Sequence, residues 1–173
     1  TVAITGADTV ANGAPYSLTL GDVVDPGDDT VTACLLACHT LLRRARRRDY
    51  VLAGDRPVLI HNVDVISGID LGALLGDHRE SGALATLAVH RRSSSRQLRF
   101  DERGLCGRRD RSTGVSEWSR VPRGTLREAA FTGIHVVAAE LPGMLTEPGA
   151  FSIIRAYLRL AASGRRIGDR DVT

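Results

Sequence analysis

The sequence predicts an α/β chain, a three-layer α/β/α arrangement around a mostly parallel sheet, preceded by a short β-rich appendage. Three observations lead there. Val58-Leu59-Ile60 is an unbroken apolar run behind Pro57, the pattern of a strand buried on both faces. A helix signal follows, with Asp70 as N-cap to Leu71, Leu74, Leu75 and His78. The charge also changes abruptly near Ala33. Residues 1–33 hold five Asp and no base, −5, whereas the remainder holds 23 Arg against 15 acids, +8. The 173 residues therefore divide into a β-rich acidic appendage over 1–33 and a domain over 34–173.

Taken in order, Val2-Ala3-Ile4, Tyr16–Leu20 and Thr30–Thr32 read as short strands between Asn12-Gly13 and Asp25-Pro26-Gly27 turns. Cys34–Arg48 reads as a helix ending in Arg43-Arg44-Ala45-Arg46-Arg47-Arg48, cations that suit a helix C-terminus. After Val58–Ile60 and the Asp70-capped helix, Gly82–Val89 is a strand and Arg91–Arg96 a serine-rich loop. Gln97–Asp101 and Leu105–Arg108 form a hairpin about Glu102-Arg103-Gly104, and Arg109–Gly124 is a polar surface excursion. Ala130–Ala138 is an apolar strand, Glu140–Leu145 a short helix, and Ser152 caps a helix from Ile153 to Ser163.

Several function classes recede on composition. No apolar run approaches a membrane span and no signal-peptide pattern opens the chain. Free cysteines fit a reducing cytoplasm. Aromatic residues make up 4% with one Trp, which argues against a base-stacking nucleic-acid platform, and the arginine run near residue 45 has no interleaved aromatics. Cys34, Cys38 and His39 show no fourth metal ligand and read as packing residues. Asp22, Asp25, Asp28 and Asp29 admit calcium but read as solvated turns, because the loop pattern of a known site is missing. His61 and His135 read as structural rather than catalytic, and no nucleophile–base constellation is evident. Asp64, at the end of the Val58–Ile60 strand, is different. A carboxylate there lies at the edge where open α/β sheets take ligands, and either holds a hard divalent cation against phosphates or merely caps a turn.

The segment HNVDVISGIDLGALLGDHRESGALATLAV, over His61–Val89, resembles the centre of the sugar-phosphate nucleotidyltransferases, the NDP-sugar pyrophosphorylases. The shared parts are an apolar strand, Asn62-Val63-Asp64, a Leu-rich helix at Leu71–Arg79 and the Gly82–Val89 strand. Ala130–Val136 is similar to the family's sugar-side strand, and Phe151–Ile154 with Ala156-Tyr157-Leu158 to its late helix, so the match spans about residues 40–167. The resemblance implies a nucleotide-diphospho-sugar transferase-like fold and a cytoplasmic enzyme using Mg²⁺. Its partners would be NTP and a sugar 1-phosphate. Asp64 would be the metal ligand at the reacting phosphates, with Asn62 and Gly133 on the ligand side. Asp171, in the closing Arg170-Asp171-Val172-Thr173, would be a second metal carboxylate, by similarity to the family's Trp-x-Asp-(Val/Ile)-Gly-Thr. Residues 1–33 resemble the opening strands of PKD-type or immunoglobulin-like repeats of bacterial surface proteins.

The family's first strand and glycine-rich loop, with its Arg and Pro-Lys, have no counterpart in this sequence, and all 23 basic residues are Arg. The domain over 34–173 is thus expected to be a partial nucleotidyltransferase with little turnover. The alternative is a catalytically dead fusion or fragment acting as a binding module.

Overall fold

The computed structural model of the chain describes residues 57–61, 67–147 and 151–173, together with the backbone of two short upstream strands. In chain order the elements are β1 (Ser17–Thr19), β2 (Thr32–Cys34), β3 (Val58–His61), α1 (Leu71–Ser81), β4 (Ala85–His90), β5 (Arg96–Asp101), β6 (Gly104–Asp110), β7 (Ser116–Trp118), β8 (Arg127–Val137), a 3₁₀ turn (Leu141–Met144), α2 (Ile153–Ala162) and β9 (Ile167–Asp171). The predicted Cys34–Arg48 helix, with Cys38, His39 and the arginine run, lies outside the described residues except for Cys34, whose backbone closes β2. The four aspartates weighed for calcium also lie outside them.

The sheet is mixed and mostly antiparallel, which overturns the predicted three-layer α/β/α arrangement around a parallel sheet. Only β2–β3 and β4–β9 run parallel, and two α-helices occur among the described residues. The physical reason lies in what an apolar run encodes. Val58, Leu59 and Ile60 are indeed buried, but burial on both faces fixes a strand's depth and not the direction of its neighbours. Here β8 lies between β3 and β4 and runs against both.

Strand β8 organises the molecule. Its C-terminal half pairs with β3 and β4, while Arg127–Ala129 pair with β5 and so lead into the β5–β6–β7 meander. Between these halves the register against β4 slips. Leu87 faces His135 but Val89 faces Phe131, so β8 bulges at Thr132-Gly133-Ile134. Gly133 takes φ 89°, a conformation that costs a residue with a Cβ. The Thr132 hydroxyl holds the bulge, donating to the Ala88 carbonyl (2.9 Å) and accepting from the Ile134 N–H (3.2 Å).

Alternation along the strands sends side chains to two separate cores. Leu59, Ala88, Ile134 and Val136 pack with Leu74 and Leu75 of α1. Val58, Ile60, Leu87 and Val89 pack with Phe100, Leu105, Tyr157 and Leu160 on the α2 side. Each fully buried large side chain contributes roughly 1.5–3 kcal/mol. Helix α1 starts where the sequence predicts, with Asp70 Oδ1 accepting from the Ala73 N–H at 2.9 Å. Ser152 occupies the N-cap of α2 without a side-chain cap bond.

The predicted short helix at Glu140–Leu145 is present as a 3₁₀ helix over Leu141–Met144, with Pro142 in its first positions. One further expectation is corrected. The predicted loop Arg109–Gly124 contains the end of β6 and all of β7. Asp110 turns the chain back, its carboxylate accepting from the Ser112 N–H (2.9 Å) and the Thr113 N–H (3.3 Å). A three-residue strand is too short to show alternation. Among the described residues no helix is long and apolar enough to cross a membrane.

Candidate functional site

Strands β3, β4 and β9 share one direction, since β8 opposes β3 and β4 and β9 parallels β4. Their carboxyl ends, at His61, His90 and Asp171, therefore lie along one edge of the sheet. A cleft of about 340 Å³ opens there, lined by Ser67, Ile69, His90, Arg91, Arg92, Thr132 and Thr173. Ser67 and Ile69 come from the approach to α1, Thr132 from the β8 bulge, and the basic residues from the end of β4.

The charge is unevenly matched. Arg91 Nε lies 2.5 Å from Asp171 Oδ2, and its side chain is largely exposed. Asp171 also accepts from the Thr173 hydroxyl (2.6 Å) and N–H (3.1 Å). The Thr173 hydroxyl bond, with Arg91 adding to it, holds the Asp171 carboxyl below its usual range, so it is ionised. Arg92 is exposed, and its backbone carbonyl accepts from Gln97 Nε2 at 2.9 Å. Its guanidinium has no ion pair among the described residues. Two guanidinia, an imidazole and the Ser67 hydroxyl about one opening suit a phosphate ester, with Arg able to grip two oxygens at once.

Asn62 and Asp64 lie outside the described residues. The chain leaves β3 at His61 and returns at Ser67, which lines the cleft. Asp171 stands at the same edge, at the end of β9 and opposite Val89. No cluster of three His, Cys, Asp or Glu side chains with metal-binding geometry occurs among the described residues. Gly133 is buried in the bulge, and its neighbour Thr132 lines the cleft. His135 is wholly buried, its ring 5.4 Å from Phe131 and 5.7 Å from Tyr157, and burial pushes its pKa down to about 3. That fits the structural role expected of it.

Sequence reasoning missed His90, Arg91 and Arg92, reading the two arginines only as the start of a serine-rich loop. The usable signal is the one that singled out Asp64: polar groups directly after an apolar strand.

A second cleft, of about 200 Å³, lies between α1, the start of β9 and the β5–β6 turn, and includes Asp77, Thr86, Asp101, Arg127 and Asp169. Here each aspartate is matched by an arginine. Arg120 makes two bonds of 2.6 Å to buried Asp101, Arg127 two to Asp169 at 2.7 and 3.0 Å, and Arg170 pairs with Asp77. The Asp101 carboxyl sits far below its ordinary value, chiefly through the Arg120 hydrogen bonds and further through the N–H groups of Arg123 and Arg103. Beside it, His78 Nδ1 lies 3.0 Å from the Thr86 hydroxyl, and burial with the Arg79 charge lowers its pKa to about 4.

No protein-family model matches this sequence, and no curated protein matches it either.

Proposed function

We propose that the cleft at the carboxyl ends of β3, β4 and β9 takes phosphorylated substrates, and that the domain is of the nucleotidyltransferase type. The reaction joins a nucleotide from NTP to a sugar 1-phosphate. A phosphate oxygen of the sugar attacks the nucleotide α-phosphorus, the α–β bridging P–O bond breaks, and pyrophosphate leaves with that bond's electron pair. The observation that carries this reading is the convergence of His90, Arg91, Arg92, Thr132 and Thr173 on one cleft at the strand ends. Such a transfer depends on alignment and neutralisation of phosphates and needs no protein nucleophile.

The arginines would neutralise phosphate oxygens, and the Ser67 hydroxyl, which accepts from the Ile69 N–H and keeps its own proton to donate, would orient them. The resemblance assigns Mg²⁺ to Asp64 and Asp171, with Asn62 and Gly133 on the ligand side. When bound, the ion would supply charge neutralisation between phosphates. Asp171 suits this role in being ionised, but it fits a cation only once Arg91 releases it. That ion pair favours a second reading, a domain that binds the sugar phosphate or nucleotide without turning it over.

Pyrophosphate release from the purified chain, with each NTP, several sugar 1-phosphates and Mg²⁺, tests the proposal. Turnover is expected to fall on the order of 10²–10³ in Arg92→Ala, and likewise in Asp64→Asn. Calorimetric titration with the same ligands tests the second reading. Binding that Arg92→Ala abolishes, without pyrophosphate, selects the non-catalytic domain. Neither binding nor release sinks both.

A further inference from the structure

The segment Arg91–Glu128 contains eleven Arg against five acids, +6, in a chain whose total is +3. It also contains the single Trp. The strand register brings Arg99, Arg109 and Trp118 of this segment to one face of the meander. Glu128 of β8 lies opposite Arg99 of β5, Arg99 opposite Gly107 of β6, and Gly107 opposite Trp118 of β7, one continuous row across four strands. The glycine is needed in that row. A Cβ at position 107 would stand 2.9 Å from Trp118 Cε3 and 2.6 Å from the Glu117 carbonyl oxygen, so its absence lets the indole come down onto the sheet. The Arg99 guanidinium then stacks 4.5 Å from the ring centroid, while Trp118 stays 46% exposed.

Arg109 follows Gly107 by two residues on the same face, roughly 7 Å further along the strand. It and Arg111 reach toward the same carboxylate as Arg99, at 3.9, 3.3 and 2.9 Å from Glu128. Three guanidinia share one carboxylate, leaving two positive charges beside an open indole. Arg109 and Arg111 remain almost half exposed. Val115 and Val121 extend the exposed apolar surface around β7.

We propose that this face of the β5–β6–β7 meander binds single-stranded nucleic acid, a base stacking on Trp118 and successive phosphates meeting Arg109 and Arg111. An unpaired base offers the π-face an exposed indole accepts, and its backbone supplies the anionic repeat the arginines complement. A duplex keeps its bases stacked internally and offers none. The chain-wide aromatic share argues against such a platform, but the average conceals that the one Trp stacks on an arginine, beside two more that share a single carboxylate. The face is distinct from the cleft at the strand ends and independent of the function proposed for it.

The single tryptophan makes the test direct. Oligo(dT) and oligo(rU) of about twelve nucleotides are expected to quench its fluorescence. Labelled oligonucleotide anisotropy should then show binding at least about tenfold weaker in Trp118→Ala and largely retained in Trp118→Phe. The exposed pair Arg109→Gln/Arg111→Gln, which leaves the fold intact, should flatten the slope of log affinity against log salt by about 1.4. Glu128→Gln, which removes the only carboxylate in the cluster, should tighten binding. The proposal is overturned by absence of oligonucleotide binding, by duplex binding as tight as single strand, or by mononucleotides binding as well as oligomers. Heparin binding of equal strength with no effect of Trp118→Ala also overturns it, since that marks a mere polyanion surface. An acidic protein partner captured in preference to the oligonucleotide does the same.

Discussion

In the cleft beside α1, Asp101, Asp169 and Asp77 each face an arginine, and Asp101 accepts two backbone N–H groups as well. At the carboxyl ends of β4 and β9, the same residue types leave Arg92 without an ion pair among the described residues and Arg91 tied only by an exposed contact. The first arrangement ties β9 to β8 and to α1 and leaves none of its aspartates without an arginine. The second keeps charge available to a ligand at some loss of self-consistency. The pairing of charges, more than their number, separates a structural cleft from a candidate binding one. Helix α1 joins the two, with its N-terminal approach at Ser67 and Ile69 lining one and Asp77 and Ser81 lining the other.

The comparison breaks most visibly at Arg120. Its removal leaves the Asp101 carboxylate, whose side chain is 0% exposed, without its main partner. Arg120→Ala is expected to destabilise the fold by about 3–5 kcal/mol, read as the shift in urea midpoint. Asp101 also dictates a sign for acid. Its folded pKa lies well below the ordinary 3.8, so its stabilisation is present above that value and lost as pH falls beneath it. Asp101→Asn should remove that acid-dependent component, and an unchanged acid limb would refute the assignment.

A milder acidification probes the histidines. Burial lowers His78 to about 4 and His135 to about 3, against 6.5 for an ordinary side chain. The unfolded chain therefore takes up protons below 6.5 that the folded chain refuses. Stability is full above that pH and declines from 6.5 toward 4, by up to about 1.4 kcal/mol per pH unit for each histidine. Urea unfolding at pH 7, 6 and 5 measures the slope, and His78→Gln is expected to halve it. A slope untouched by that change would mean His78 titrates normally.

Smaller effects sharpen the contrast. Asp70→Ala removes the α1 cap near the open cleft and should cost about 1 kcal/mol in thermal unfolding. Arg91→Ala breaks only an exposed pair, and its effect on stability should stay within about 0–1 kcal/mol. Its consequence is expected instead in phosphate affinity, measured by calorimetry. A loss of several kcal/mol in stability would place Arg91 with the structural arginines.

Local signals in the sequence were read correctly where the physics is local. The Asp70 cap, the α1 span, the burial of Val58–Ile60 and the Gln97–Arg108 hairpin depend on neighbouring residues or on a single alternation. The direction of the sheet was not legible, because apolarity reports depth alone and β8 inserts from far along the chain. β7 was missed because three residues give no period. Of the candidate site, Asp171 and Gly133 fall at the sheet edge and in the bulge next to it, while Asn62 and Asp64 lie outside the described residues. Arg91 and Arg92 went unread because their position matters only once β4, β8 and β9 are aligned.

Strand β8 also has a consequence for the order in which the molecule assembles. Arg96 meets Asp110 across a short hairpin, but Val58 must find Val137, and Ala85 must find Ile167. Closing the long loops costs chain entropy before any contact repays it, whereas the meander closes quickly. The β5–β6 hairpin is therefore the natural early structure, and β8 the late one that docks it between strands made long before. A slow refolding phase sensitive to Gly133 and Thr132, and indifferent to the hairpin turn, is the kinetic signature that this strand order leaves behind.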